Sequence, residues 1–324
     1  MSILIVMIVT LLLFSLYINI KEKRSAASYM SEKLMRVSIK KIQTELAQDS
    51  TTYLEKQRGK NEKPYTLPVK GLAHCTIALE KRDDVEIIIF TPRKKASGST
   101  LFYLHGGGYV EHASLLHFFF IDSIQKIYPC RVIMPLYPKA PSHSAVETVA
   151  KTKKLYEEIQ NEAKNELSII GDSAGGGLAL ALAQEVEQQP KQIILISPWL
   201  DISLNNPLIE EIQEKDPMLS AAHLKNMGIS YRGELDERDH RVSPLFGDIS
   251  QLSPITLFVG THEIFLHDAR LFKDKCERDK KDLLYIEKDK MNHDYPLFPM
   301  KEGKEAVSIM TKVLLGEIEH TQLI

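Results

Sequence analysis

The chain has 324 residues, 44% of them hydrophobic and 26% charged, and its formal net charge is -2. This composition is typical of a globular protein large enough for one α/β domain with an appended segment. It contains no basic stripe, so no nucleic-acid partner is predicted. The three cysteines, Cys75, Cys130 and Cys276, are far apart and match neither a disulfide framework nor a metal site.

The N-terminal residues differ from the rest of the chain. Residues 3–20 carry no charge and are mostly Leu, Ile and Val, which is near the minimum length for crossing a bilayer core of roughly 30 Å. Basic residues follow this run and none precedes it, unlike in a signal peptide. We therefore expect residues 1–24 to be an uncleaved membrane anchor at the cell membrane, with the rest of the chain cytoplasmic. A signal cleaved near residues 25–28, giving a secreted protein, is the alternative.

Helical and strand-like patterns follow in an order typical of an α/β protein. Residues 25–70 contain apolar side chains at helical spacing. We expect them to form part of a cap; the alternative is that they only connect the anchor to the rest of the chain. From residue 71, short apolar runs alternate with helical segments, which predicts a mostly parallel central sheet of about eight strands flanked by helices. The predicted strands are 75–79, 85–90, 101–104, 131–134, 167–170, 192–196, 255–259 and 283–286.

The alternation of strands and helices stops at about residues 205–245. This segment is polar and helix-prone, with prolines and glycines as breaks, and we expect a cap insertion above the carboxyl edge of the sheet. The sequence thus divides into an anchor (1–24), an N-terminal helical region (25–70) and a catalytic domain (71–324) that carries the insertion.

A Gly-x-Ser-x-Gly motif lies at residues 171–175, between an apolar strand and an apolar helix. This is the context of a nucleophile elbow, in which the serine occupies a strained turn. A side chain at Gly171 or Gly175 would crowd that turn, and Ser173 would be lifted clear of the sheet. Because the motif is also common by chance, a glycine-rich turn with an uninvolved serine is the alternative.

A second motif, His-Gly-Gly-Gly, occupies residues 105–108 directly after the strand 101–104. Backbone free of side chains can direct N–H groups at one point, where they would stabilise a developing oxyanion. Losing one such donor costs on the order of 3 kcal/mol. We assign these donors to Gly107, Gly108 and Ala174.

A nucleophilic serine needs a histidine base and an acid that orients it, in the order serine, acid, histidine for this kind of sheet. His293 is the histidine between the last strand and the final helix. The acid should follow the strand 255–259. Glu263 is on the loop that ends this strand, so we prefer it, while Asp268 in the following helix remains the alternative.

These motifs together resemble the hormone-sensitive-lipase-like branch of the α/β-hydrolases. The resemblance rests on residues 105–108, 171–176 and the loop around His293, and it extends over roughly residues 71–315. It implies an α/β-hydrolase fold with a cap from the N-terminus and from an insertion after the sixth strand. It implies the same three oxyanion donors and a triad acid that is usually Asp and sometimes Glu.

The expected function is that of a serine carboxylesterase that cleaves short-chain acyl esters through an acyl-enzyme on Ser173. The expected partner is a small ester substrate, and no metal or organic cofactor is needed. An amidase or deacetylase acting on a cell-envelope or small-molecule substrate is one alternative. A non-catalytic ligand-binding member of the fold is the other.

Overall fold

The computed structural model describes residues 2–69, 71–163 and 166–318. In these ranges the strands are β1 (Cys75–Arg82), β2 (Val85–Pro92), β3 (Thr100–Leu104), β4 (Arg131–Pro135), β5 (Leu167–Asp172), β6 (Ile193–Ile196), β7 (Ile255–His262) and β8 (Leu283–Asn292). The helices are α1 (Ser2–Glu22), α2 (Ala26–Gln48), α3 (Ser50–Asn61), α4 (Leu115–Ile127), α5 (Ala145–Ala163), α6 (Ser173–Glu185), α7 (Ile209–Gln213), α8 (Ala221–Arg232), α9 (Leu266–Arg278) and α10 (Lys301–Leu315).

These strands form one eight-stranded sheet in the order β1-β2-β4-β3-β5-β6-β7-β8. The pairs β1–β2 and β2–β4 are antiparallel, and every other neighbouring pair is parallel. Parallel neighbours need long crossover connections, which the helices between β3 and β8 supply. The predicted mostly parallel sheet flanked by helices is therefore confirmed.

The central strands are buried on both faces. Every residue of β5 and β6 is buried. In β3, Leu101 and Tyr103 join one hydrophobic cluster with α4 and α10, whereas Phe102 and Leu104 join a second cluster with α5, α6 and α9. Because side chains alternate across a strand, one apolar run supplies two core layers.

Strands β3 to β8 run parallel to one another and end at the same edge of the sheet. β6 pairs in parallel with β5 on one side and β7 on the other, and β7 pairs with β8. Residues just after β5, β7 and β8 therefore share the edge at which open α/β sheets bind ligands. β8 continues to Asn292, well beyond its predicted end at Ile286. The strand was predicted too short because residues 287–290 are charged and break the apolar run. Charged residues are nevertheless common on an edge strand such as β8.

The prediction for the N-terminal residues is wrong. Among the residues that the structure describes, no helix is long and apolar enough to cross a membrane. The membrane anchor in residues 1–24, the membrane as a partner and the location at the cell membrane are therefore not supported. The end of α1 instead packs on the protein: Ile18 is 3% exposed, and the Glu22 carboxylate lies 3.1 Å from Nζ of Lys290.

Helices from the N-terminal region contact both the sheet domain and the 205–245 segment. The backbone N–H and Oγ of Ser25 donate to the Glu302 carboxylate on α10, at 2.6 and 2.8 Å. Arg36 of α2 donates to two backbone carbonyls of the 205–245 segment, at 2.8 and 2.5 Å. Helix α8 of that segment contacts α2 and α3. These contacts join the N-terminal helices to α10 and to the 205–245 segment.

Candidate active site

Ser173 occupies the sharp turn between β5 and α6. Its φ is 53°, a left-handed value that non-glycine residues rarely adopt and that is typical of strained functional positions. A Cβ at Gly171 would lie less than 3.0 Å from the carbonyl oxygen of Gly175. One at Gly175 would also lie less than 3.0 Å from the carbonyl oxygen of Leu104. Glycine is therefore required at both positions for α6 to begin so close to the sheet.

Side chains from three strand ends form one hydrogen-bonded chain. Nε2 of His293 lies 2.9 Å from Oγ of Ser173, across 120 positions of sequence. Nδ1 of His293 lies 2.7 Å from Oε2 of Glu263. Ser173 is 7% exposed, while His293 is 2% and Glu263 is 0% exposed. This is the geometry of a serine nucleophile, a histidine base and an orienting carboxylate.

Neighbouring carboxylates favour the positively charged form of the His293 imidazole. Burial alone would lower the pKa of His293, but the carboxylates of Asp294 and Glu263 raise it well above its ordinary value. Oδ2 of Asp294 lies 3.1 Å from Nε2 of the same ring. Burial also raises the pKa of Asp294, to about 7. The site can therefore stabilise the imidazolium that forms when a serine gives up its proton.

Backbone donors lie in the glycine loop, residues 105–108, and at the start of α6. Gly107 has a φ of 121° and Gly108 a φ of 60°, values that favour glycine. Among the described residues, neither of these N–H groups donates a hydrogen bond. The N–H of Ala174 lies in the first turn of α6, where backbone donors have no intrahelical partner. Three donors are thus available to a developing oxyanion.

Asp172 fixes the glycine loop to the end of β5. Its Oδ2 accepts a hydrogen bond from the backbone N–H of Gly106 at 2.9 Å and lies 3.1 Å from Nε2 of His117. The hydroxyl of Tyr103 donates to Oδ1 at 2.6 Å. Burial would raise the pKa of Asp172, but His117 and then Tyr103 hold it below its ordinary value. A charged Asp172 therefore positions the loop that carries the candidate donors.

Helix α8 lies directly over the glycine loop. The side chain of Met227 occupies the space that a Cβ on Gly108 would need. The ring of Tyr109, just after the loop, stacks on Tyr231 with ring centroids 3.7 Å apart. Both contacts restrict the space above the candidate oxyanion donors.

Polar residues that were not predicted from the sequence surround the imidazole of His293 and its acid. Oγ of Ser197 donates to Oε1 of Glu263 at 2.8 Å and accepts from the N–H of Asp294 at 3.0 Å. The Asp216 carboxylate accepts from the N–H of Ile264, next to Glu263, at 3.0 Å. Burial raises the pKa of Asp216 to about 6. Ser197 could have been predicted from the sequence, because it directly follows β6. Asp216 could not, because it lies in the 205–245 insertion, which follows no strand of the sheet directly.

Asp268, the alternative acid, lies in the first turn of α9. Its Oδ1 accepts a hydrogen bond from Asn206 at 2.9 Å, and burial raises its pKa to about 6. The acid that contacts His293 through Nδ1 is Glu263. In the described ranges, no three His, Cys, Asp or Glu residues are grouped so that they could hold a metal ion.

Comparisons with known proteins identify the family of this chain. A family profile described as alpha/beta hydrolase fold matches residues 101–297. An esterase of Acinetobacter venetianus is 33% identical over 195 residues, which cover 57% of this chain and 64% of that protein, so the chain spans less than two thirds of this relative. An acetyl-hydrolase of Streptomyces hygroscopicus is 29% identical over 227 residues, 66% of this chain and 75% of that protein. The crystal structure of a candidate esterase from Staphylococcus aureus has a TM-score of 0.78 and 26% identity, covering 82% of this chain and 92% of that chain.

The family match covers more than half of the chain and includes both motifs, Glu263 and His293. The names of the similar proteins support the predicted enzyme class, a carboxylic ester hydrolase. The family predicted from the motifs is confirmed: this chain belongs to the α/β-hydrolase fold family.

Proposed function

We propose that this protein is a serine carboxylesterase that cleaves short-chain acyl esters through an acyl-enzyme on Ser173. One observation carries the proposal: His293 lies within hydrogen-bond distance of Ser173 through Nε2, at 2.9 Å, and of Glu263 through Nδ1, at 2.7 Å. Such a relay gives a weakly nucleophilic hydroxyl a base at the moment of attack.

In the acylation step, Oγ of Ser173 attacks the ester carbonyl carbon as Nε2 of His293 takes its proton. Negative charge develops on the carbonyl oxygen, which the N–H groups of Gly107, Gly108 and Ala174 bind. Glu263 holds the ring through Nδ1 and stabilises its positive charge. The imidazolium then gives its proton to the leaving alcohol, and the acyl group remains on Ser173.

In the deacylation step, a water molecule takes the place of the alcohol. Nε2 of His293 removes a proton from this water as its oxygen attacks the acyl carbon. The same backbone donors bind the second oxyanion. Collapse of the intermediate breaks the bond to Oγ, returns the proton to Ser173 and releases the carboxylic acid. No metal or organic cofactor takes part in this proposal.

The cap supports a preference for short acyl chains, because it limits the space next to the glycine loop. In this proposal, residues 25–70 and about 205–245 form a cap over the catalytic domain, residues 71–324. Met227 on α8 contacts the glycine loop where the carbonyl oxygen of the substrate would bind. An acyl chain that extends from that carbonyl has to pass this side chain, so little room remains for long chains.

An acyl-chain series tests the proposal. We expect kcat/KM to be highest for p-nitrophenyl acetate or butyrate and about tenfold or more lower for the octanoate, because rejection of even one added methylene by a crowded pocket costs about 1–3 kcal/mol. Met227→Ala should move the preference towards longer chains, whereas Ile229→Ala, an exposed position on the same helix, should not. A wild-type preference for octanoate would contradict short-chain specificity.

The same assay addresses the amidase alternative. With p-nitroacetanilide as the amide counterpart of the acetate ester, we expect turnover far below that of the ester, because the amine is the poorer leaving group. Amide turnover equal to ester turnover would favour the amidase or deacetylase instead. A chain that turns over neither substrate would favour the ligand-binding alternative.

A further inference from the structure

A second carboxylate contacts the imidazole of His293. Oδ2 of Asp294 lies 3.1 Å from Nε2, the same nitrogen that lies 2.9 Å from Oγ of Ser173. The proposed relay needs one carboxylate, at Nδ1, and Glu263 supplies it. The relay therefore does not use Asp294. Its carboxylate nevertheless contacts the nitrogen that must accept the proton of the serine.

No structural hydrogen bond accounts for the burial of this side chain. Asp294 is 8% exposed, and within the described chain its Oδ1 has no hydrogen-bond partner. A buried carboxylate oxygen without a partner is costly. The backbone nevertheless holds the residue in place: its φ is 53°, and its N–H donates to Oγ of Ser197 at 3.0 Å. Among the residues that the structure describes, the contact of Oδ2 with His293 is thus the ion pair that this carboxylate makes.

The surroundings of the pair are mainly acidic. In the part of the chain that the structure describes, the titratable groups that interact with the pair from other elements are, in chain order, Tyr103, His117, Asp172, Asp216 and Glu263. Three of them are carboxyl groups. His117 is the one base among them, and it lies 3.1 Å from Asp172. A positive charge on His293 is therefore the main balance to the negative charge around it.

We propose that Asp294 sets the working pH range of the esterase by holding a proton on Nε2 of His293 to a higher pH than Glu263 alone would. This inference rests on the proposed function, since it concerns the general base of that reaction. In the resting site the proton lies between Nε2 and Oδ2, so Nε2 has no free lone pair for the proton of Ser173. When that proton leaves to solvent, Nε2 becomes a base, and the Asp294 carboxylate stabilises the imidazolium formed during attack.

The directions of the pKa shifts agree with this arrangement. Against the effect of burial, Asp294 raises the pKa of His293, and burial raises the pKa of Asp294 to about 7. A base with a raised pKa stays protonated, and inactive, to a higher pH. Once deprotonated, it is also the stronger base. Removing the negative charge should therefore move the acidic limb of the pH profile to lower pH and lower the plateau.

The test is Asp294→Asn, which keeps the size of the side chain and tolerates a positive φ. We expect the acidic midpoint of kcat/KM for p-nitrophenyl acetate to fall by about one pH unit or more, as for loss of a charge within contact distance. The plateau should fall several-fold, so that the two profiles cross. Asp268→Asn is the matched control, because it neutralises another buried acid that hydrogen-bonds to Asn206, and its profile should stay that of the wild type.

A second readout does not depend on turnover. An NMR titration of His293, assigned with His293→Gln, should show a lower imidazole pKa in Asp294→Asn than in the wild type. An unchanged imidazole pKa would overturn the inference, and so would an activity loss of equal size at every pH, which is what a merely structural role predicts. A lowered imidazole pKa in a protein whose wild type turns over no ester would instead contradict the proposed function alone.

Discussion

Replacing Ser173 with alanine is expected to lower kcat/KM for p-nitrophenyl acetate by about 10⁵-fold or more, because the variant lacks the oxygen that forms the acyl bond. The activity that remains should come from the oxyanion donors and from binding alone. Alanine keeps the Cβ and meets the same φ of 53° as serine. The thermal midpoint should therefore stay within about 2 °C of the wild type, which corresponds to roughly 1 kcal/mol for a chain of this length.

The matched control is Ser308→Ala, a serine on α10 away from the strand ends. This variant should keep wild-type kinetics. A Ser173→Ala protein that is folded and still turns over the ester within about tenfold of the wild type would mean that another group is the nucleophile.

Replacing Glu263 with glutamine is expected to lower kcat/KM by about 10³-fold to 10⁴-fold, the effect seen when an amide replaces the triad acid. The amide carries no charge to stabilise the imidazolium of His293. In the wild type, Oε1 accepts from Ser197 at 2.8 Å and from the N–H of Gly260 at 2.5 Å. These two donors fix the acceptor end of the amide, so its NH₂ group faces Nδ1 and favours the wrong tautomer.

Asp268→Asn separates the two candidate acids. It neutralises the alternative acid, and we expect kcat/KM within about threefold of the wild type, since the effect of a substitution outside the relay is small. The thermal unfolding midpoints of both variants show whether a loss of activity is caused by destabilisation of the fold. A large loss of kcat/KM in Asp268→Asn, with near wild-type kcat/KM in Glu263→Gln, would contradict the assignment of Glu263 as the triad acid.

The fold and much of the candidate site could be predicted because their determinants are local. Apolar runs mark the strands, and the residues that follow parallel strands meet at one edge. Ser173, Glu263 and His293 each follow such a strand, and the structure brings their side chains into one hydrogen-bonded chain. Their catalytic roles remain predictions. Gly107 and Gly108 could be proposed as donors for the same reason, since backbone free of side chains directly after a strand can direct N–H groups at one point.

Other features depend on contacts that no local pattern records. Asp294 reaches Nε2 because its own backbone is left-handed and because Ser197, far away in sequence, accepts its N–H. Asp216 reaches the Glu263 loop from the insertion. The apolar composition of residues 3–20 predicted a membrane anchor. Composition alone could not predict that the end of α1 packs against the rest of the protein.

The direct measurement is mass spectrometry after reaction with a fluorophosphonate, a reagent that is attacked by activated serines. The wild-type protein should gain the mass of one phosphonyl group, located on the peptide that contains Ser173, while Ser173→Ala and His293→Gln should gain none at the same reagent concentration. A wild-type protein that hydrolyses p-nitrophenyl acetate but carries the adduct on another residue, or carries none, would contradict a nucleophilic Ser173 activated by His293.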